Sequence, residues 1–334
     1  MDLQEVADAF TQARAVVQRS GQLFNLSRLK YFGSYFREPH YGSNYKDLYD
    51  LEIELNGGVN YAAAYELLSI WRLARDDDYP RWARSTGASK CQIALFGLHE
   101  TNDWFCRRNG AHHDIIRATL RLLENGIQPR WMVFLTKKGL PELQGILRLI
   151  EELRLRERAD DIGGHFDVFL NDPTPIGEAG NLEEIRITAG DRSSIPRELI
   201  TATEEYTRKP FQPRTEDDII TEILSAADAP IRLDYPEELW FFITPDWSVY
   251  PNVGSLEPWW RLGNLKTDGM EHLLAAFVGS NAPGLRAGTD LTLHEAVSAY
   301  GRIGSDRLYS RSDLCQLWLE KYCRDRWKPE QARA

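Results

Sequence analysis

The stretch KCQIALFGLHETNDWFCRRNGAHHDIIRATLRLLENGIQPRWMVFLTK, Lys90 to Lys137, decides the fold reading, because it reads as strand, ordered loop, helix and strand. Over 110–125 the apolar residues Ile115, Ile116, Leu120, Leu122 and Leu123 recur at helical spacing, with Arg117, Arg121 and Glu124 outside. Gly126 stands where a helix cap belongs. Trp131 to Leu135 is the following strand. Strands alternating with helices imply parallel pairing through crossovers, and so an α/β architecture.

The pattern continues on both sides. Downstream, Pro141 is a first-turn proline ahead of a helix with Leu143, Ile146, Leu147, Ile150 and Leu153 inward, and FDVFL, Phe166 to Leu170, is a further strand. Upstream, LEIEL, Leu51 to Leu55, alternates as a strand does and ends at the turn signal Asn56-Gly57-Gly58, before a helix from Ala62 to about Arg75. Residues 3 to 19 read as an amphipathic helix, and Gln22 to Tyr49 as irregular. Beyond Gly177 the composition turns polar, with helical patches at Arg197–Tyr206 and Asp217–Ala227. ELWFFITPDWSVYPN, Glu238 to Asn252, reads as two short strands around Pro245-Asp246. A turn and helix follow over Leu262 to Phe277, and a last helix runs from Arg311 to Trp327. The expected division is 1–50, 51–230 and 231–334.

At 334 residues with 43% hydrophobic content, the chain can bury a large core. It has no apolar run near 18 residues and no signal-peptide pattern, so it is expected in the cytoplasm, away from membranes. Four irregularly spaced cysteines, Cys91, Cys106, Cys315 and Cys323, then read as reduced thiols. A net charge of −10 with dispersed basic residues argues against nucleic-acid binding. Trp240, Trp247, Trp259 and Trp260, close together in the C-terminal part, suggest a packed aromatic cluster or a binding cleft, and packing is the preferred reading because indoles bury large areas.

In their joint order, RLARDDDYPRWARSTGA, QIALFGLHETND, RRNGAHHD, NGIQPRW, PIGEAG, DWSVYPN and LGNL resemble the radical SAM family with its SPASM module. The resemblance covers roughly Leu51 to Phe277. It implies a partial or altered (β/α) TIM-type barrel followed by a small SPASM-like C-terminal region. Four departures accompany it. No cysteines have the CxxxCxxC spacing that holds the family's iron–sulfur cluster, which needs three or four converging thiolates. Gly57-Gly58-Val59-Asn60 lacks the Glu-Pro half of the family's Gly-Gly-Glu-Pro, whose backbone receives the cofactor's amino group. Ala94 stands where a polar residue often touches the cofactor ribose, and Asn252 stands at the SPASM cysteine. No iron–sulfur cluster is therefore expected. S-adenosylmethionine stays open as a ligand, with Gly57, Gly58 and Arg108 as candidate contacts.

In such a barrel the chemistry sits at the carboxyl ends of the strands. Those ends offer His99, Glu100, Lys137 and Asp172, suited to a polar metabolite or peptide terminus, or to proton transfer. A metal site can be drawn from His99 and Asp103 with His112-His113-Asp114, but neighbours such as His112 and His113 diverge by about 100 degrees on a helix, so no metal is predicted and both are read as surface or capping groups. Arg107-Arg108 could clamp an anion or pair with Glu100 or Asp103. Cys91, at a strand start, reads as a buried thiol. No nucleotide loop, nucleophile elbow or HExxH motif occurs. These features lead to a cluster-free radical SAM-like protein that binds a peptide, a metabolite or a partner radical SAM enzyme in a biosynthetic or modification pathway. The alternatives are a non-radical acid–base enzyme at the same strand ends and an N-terminally truncated radical SAM enzyme.

Overall fold

The computed structural model describes residues 45–60, 63, 66–173, 182–233 and 239–327, with the strand at 29–34 and helical residues 4, 7–9, 11–13, 15 and 16. Its strands are β1 Leu29–Ser34, β2 Lys90–Leu95, β3 Gln128–Phe134, β4 Asp167–Asn171, β5 Arg214–Thr215, β6 Leu239–Ile243, β7 Ser248–Pro251, β8 Gly263–Asn264 and β9 Leu308–Tyr309. They form a parallel sheet β2-β3-β4, a mixed sheet β1-β6-β7-β8 and a two-stranded pair β5-β9.

The parallel sheet is the one the opening stretch predicts. Ile93 lies opposite Trp131, and Trp131 opposite Val168. Helix Ala111–Glu124 connects β2 to β3, and helices Leu143–Glu152 and Leu155–Asp161 connect β3 to β4. Cys91, Ile93 and Leu95 alternate with half-exposed residues along β2, so one face of the strand is buried. The matching stripe on Ala111–Glu124 is Ile115, Ala118, Leu122 and Leu123. Between them, the buried Trp131 donates from Nε1 to Thr119 Oγ1 at 3.0 Å, so the indole enters the core without an orphaned donor.

The α/β expectation holds, with a parallel sheet of three strands; the other strands among the described residues lie in separate sheets, so a closed barrel is not formed by them. Several other expectations are corrected. LEIEL is the end of a helix, Tyr45–Leu55, because its Leu51 and Leu55 also satisfy an i, i+4 period and YKDLYD continues the helix upstream. Gly57 and Gly58 close that helix: their N–H groups bond to Glu54 and Ile53 carbonyls at 3.0 and 2.8 Å, with φ of +73° and +88°. The two glycines therefore follow a helix and not a strand end. Part of the segment read as irregular holds β1, which pairs in parallel with β6. Of the helix expected from Ala62 to about Arg75, Ala63 and Ile70–Arg75 are helical, with a break at 66–69 and Ser69 capping the second piece; Ala62 lies outside the described residues. A further helix spans Tyr79–Ser85.

In the C-terminal part β6 and β7 form the expected hairpin. Asp246 in its turn accepts from the Thr244 and Ser248 hydroxyls at 2.5 and 2.8 Å. Asn252 accepts the Trp240 N–H through its side chain at 3.2 Å. Buried Glu320, on helix Arg311–Arg326, accepts the indole N–H groups of Trp259 and Trp260, each at 2.9 Å. No helix among the described residues is long and apolar enough to cross a membrane.

Candidate functional site

The loop after β2 turns sharply into helix His99–Phe105. Gly97 is needed there, since a Cβ would lie 2.5 Å from Glu142 Oε2 and 2.6 Å from Thr101 Cγ2. Glu142 reaches across from the segment after β3. It accepts the Leu98 N–H at 2.5 Å and the Thr101 hydroxyl at 2.7 Å, supplying the acceptor that the helix start lacks. The buried Asn102 accepts the Phe96 N–H at 3.1 Å, tying helix to strand end. His99 sits at the first turn with φ of +24°, where non-glycine residues are uncommon.

The next helix has Gly110 at its N-cap and no capping side chain of its own. Asp103 does that work from the preceding helix, accepting the N–H groups of Gly110 at 2.5 Å and His112 at 2.8 Å. Partial desolvation raises the Asp103 carboxyl, but these backbone donors outweigh it and hold the group below the usual range. Asp114 is buried and accepts from Arg75 at 2.9 Å and Arg108 at 2.5 Å. Arg108 thus pairs with Asp114, and not with Glu100 or Asp103 as the sequence allowed.

His112 corrects the surface reading: it is buried, and only His113 is exposed. Its ring lies 4.5 Å from that of His99, and its Nε2 is buried without a hydrogen-bond partner. Burial, then the neighbouring His99, push its pKa down, while Asp103 and Glu142 oppose them. The imidazole is held towards its neutral form. No group of three or more His, Cys, Asp or Glu side chains among the described residues is arranged to hold a metal ion.

A cleft of about 810 Å³ opens beside this framework. Its apolar wall is Phe96, Trp104 and Phe105, and Glu100, Arg107 and Arg108 also line it. Phe96 stacks between Phe105 at 4.9 Å and Phe134 at 4.8 Å. Trp104 stands edge-on to Phe105 and is 53% exposed, with the Lys138 ammonium 5.0 Å from its ring centre.

Of the four side chains predicted at strand ends, Glu100 lines this cleft, and His99, Lys137 and Asp172 are not among its walls. His99 is exposed, with its ring against that of the buried His112. Lys137 is exposed and its backbone N–H donates to the Ile185 carbonyl at 2.7 Å, while Lys138 is the lysine that reaches Trp104. Asp172, just past β4, faces Arg186 and Asp313, and burial pushes its carboxyl up to about 6 with Arg186 opposing. The aromatic wall, Glu142 and the buried His112 escaped the sequence reading. A usable signal for the wall was the spacing of Phe96, Trp104 and Phe105 around a polar loop, although aromatics in such a place read equally well as core.

No family model matches the chain, and no curated protein matches it. Its fold is similar to solved structures of anSMEcpe, a radical SAM/SPASM enzyme of the family that the sequence resembles. One is native anSMEcpe with bound AdoMet, at TM-score 0.47 and 11% identity, covering 95% of this chain and 87% of that one. Another is native anSMEcpe with bound AdoMet and Cp18Cys peptide, at TM-score 0.48 and 13% identity, covering 95% and 88%. The likeness is one of chain path alone.

Proposed function

We propose that this protein is a cluster-free radical SAM-like binding protein whose cleft beside β2 receives a peptide. The observation that carries the reading is the half-exposed Trp104 on its stacked Phe96–Phe105 support, with Glu100 and Arg107-Arg108 on the same walls. An exposed indole on a rigid base offers large contact area at little conformational cost, and charges of both signs suit a chain with peptide groups and mixed side chains. The strained backbone at His99 is of the kind that persists at functional sites.

The placement of the cysteines supports the cluster-free part of the reading: Cys91 is buried at the start of β2 and Cys323 is buried on the last helix. Cys315 and Cys323 are eight residues apart on one helix, which separates them by about 12 Å. With Gly57 and Gly58 used to close a helix, S-adenosylmethionine is a probe in the test and not the ligand proposed. An acid–base enzyme is the second reading, favoured by the neutral His112 with its unpartnered Nε2 beside His99.

The test is calorimetric titration with short peptides carrying one aromatic residue between an acidic and a basic one, with S-adenosylmethionine in parallel. Peptide binding weakened about tenfold by Trp104→Ala is expected, the range of an aromatic anchor. Binding of S-adenosylmethionine alone, or peptide affinity indifferent to Trp104, would sink the reading. Anaerobic reconstitution with iron and sulfide is expected to leave the protein colourless, and about four irons per chain would contradict the cluster-free part.

A further inference from the structure

We infer that a second cleft, in the C-terminal third of the chain, binds an oxyanion, the carboxylate or phosphate group of a small ligand, through Arg261 and Arg286. This cleft measures about 950 Å³ and is larger than the one beside β2. Its walls come from β7, β8, the helices Gly269–Val278 and Pro283–Asp290, and Trp327.

Hydrogen-bond accounting gives the ligand class. The two carboxylates on the walls are already engaged. Asp246 accepts from the Thr244 and Ser248 hydroxyls, and Asp268 accepts from the Asn264 N–H at 2.7 Å and the Thr267 hydroxyl at 2.9 Å. The donors are not. Neither Arg261 nor Arg286 has a carboxylate within ion-pair distance among the described residues, and Arg261 Nε is buried with no acceptor at all. A guanidinium carries five N–H donors and no acceptor, so the walls present an excess of donors. The Arg261 side chain is only half-buried, but its Nε–H is closed off without an acceptor, which is unfavourable, and a ligand oxygen removes that deficit. Arginine's planar fork matches the two oxygens of a carboxylate or phosphate. The phenol of Tyr250 and the indole of Trp327 line the same space, so the oxyanion can be carried on a body with an apolar side.

The experiment is calorimetry of the full chain with succinate, with inorganic phosphate and with uncharged succinamide. Saturable binding of succinate or phosphate, with a Kd on the order of 1 mM, is expected of one small anion in such a site. Preference for succinate assigns the carboxylate source, and preference for phosphate the phosphoryl one. Arg261→Gln and Arg286→Gln should each weaken it about tenfold, as loss of one charge-assisted bond does. Arg286 is exposed, so its variant tests the site without disturbing the core. Trp104→Ala should leave anion affinity unchanged. No saturable heat from either anion, succinamide binding as well as succinate, parent-level anion affinity in either arginine variant, or loss in Trp104→Ala would each overturn the inference.

Discussion

Replacing Glu320 with Gln tests the C-terminal packing at one atom. The parent carboxylate is 3% exposed and places one oxygen on each of two indole N–H groups, Trp260 on Oε1 and Trp259 on Oε2, with Gln316 also donating to Oε1. Burial raises this carboxyl's pKa despite those donors. Even when protonated, a carboxyl keeps lone pairs on both oxygens. A glutamine amide does not, because its NH2 group can only donate. Whichever way the amide is turned, one indole then faces a donor, in a place closed to water because Trp259 and Trp260 are themselves buried. One buried N–H without an acceptor costs about 1–3 kcal/mol, and loss of charge from the surviving bonds adds to it, so a net destabilisation of about 2–3 kcal/mol is expected. Urea unfolding followed by tryptophan emission measures it. The same substitution in a Trp260→Phe background should cost less, because the amide can then turn its NH2 away from the remaining indole. An unchanged or raised urea midpoint for Glu320→Gln would refute the two-indole arrangement.

Three further outcomes are expected. Gly254→Ala should destabilise by about 1–3 kcal/mol or more in the same urea assay, because its Cβ would lie 2.1 Å from the Trp260 ring. Glu142→Ala should cost about 1–3 kcal/mol, since it orphans the Leu98 N–H and the Thr101 hydroxyl, and it should also weaken peptide binding at the neighbouring cleft. Asp172 has a folded pKa of about 6 against an ordinary 3.8, so the folded state holds its proton more tightly: its contribution to stability is full below about pH 4 and is lost as pH rises through 6. Asp172→Asn should flatten that part of the stability profile, and an identical slope in parent and variant would count against the burial described.

The centre of the fold was legible because its local signals agree. The residues from Ile115 to Leu123 keep a helical period, Gly126 has φ of +69°, and β2 and β3 pair as the strand–helix–strand order requires. LEIEL was misread because alternation and an i, i+4 repeat coincide over five residues, and only the neighbouring YKDLYD separates them. β1 carries no local signal, since its partner lies far along the chain. At the candidate site Glu100 could be placed from its strand end. Glu142 could not, because it joins Leu98 only through tertiary approach across the loop after β3. His112 looked like a surface group by residue type, yet it packs under His99.

The parallel pairing of β1 with β6 also sets an order of events during synthesis. Leu29 meets Leu239 only after about two hundred further residues have been made, so the amide groups of β1 must wait for that partner while the β2-β3-β4 unit can already assemble from nearby segments. Once joined, β1 forms the rim of its sheet and shields β6, which would otherwise be an open edge inviting another chain. A chain shortened at its N-terminus would therefore show its fault in the C-terminal sheet, as association between molecules through an uncovered β6.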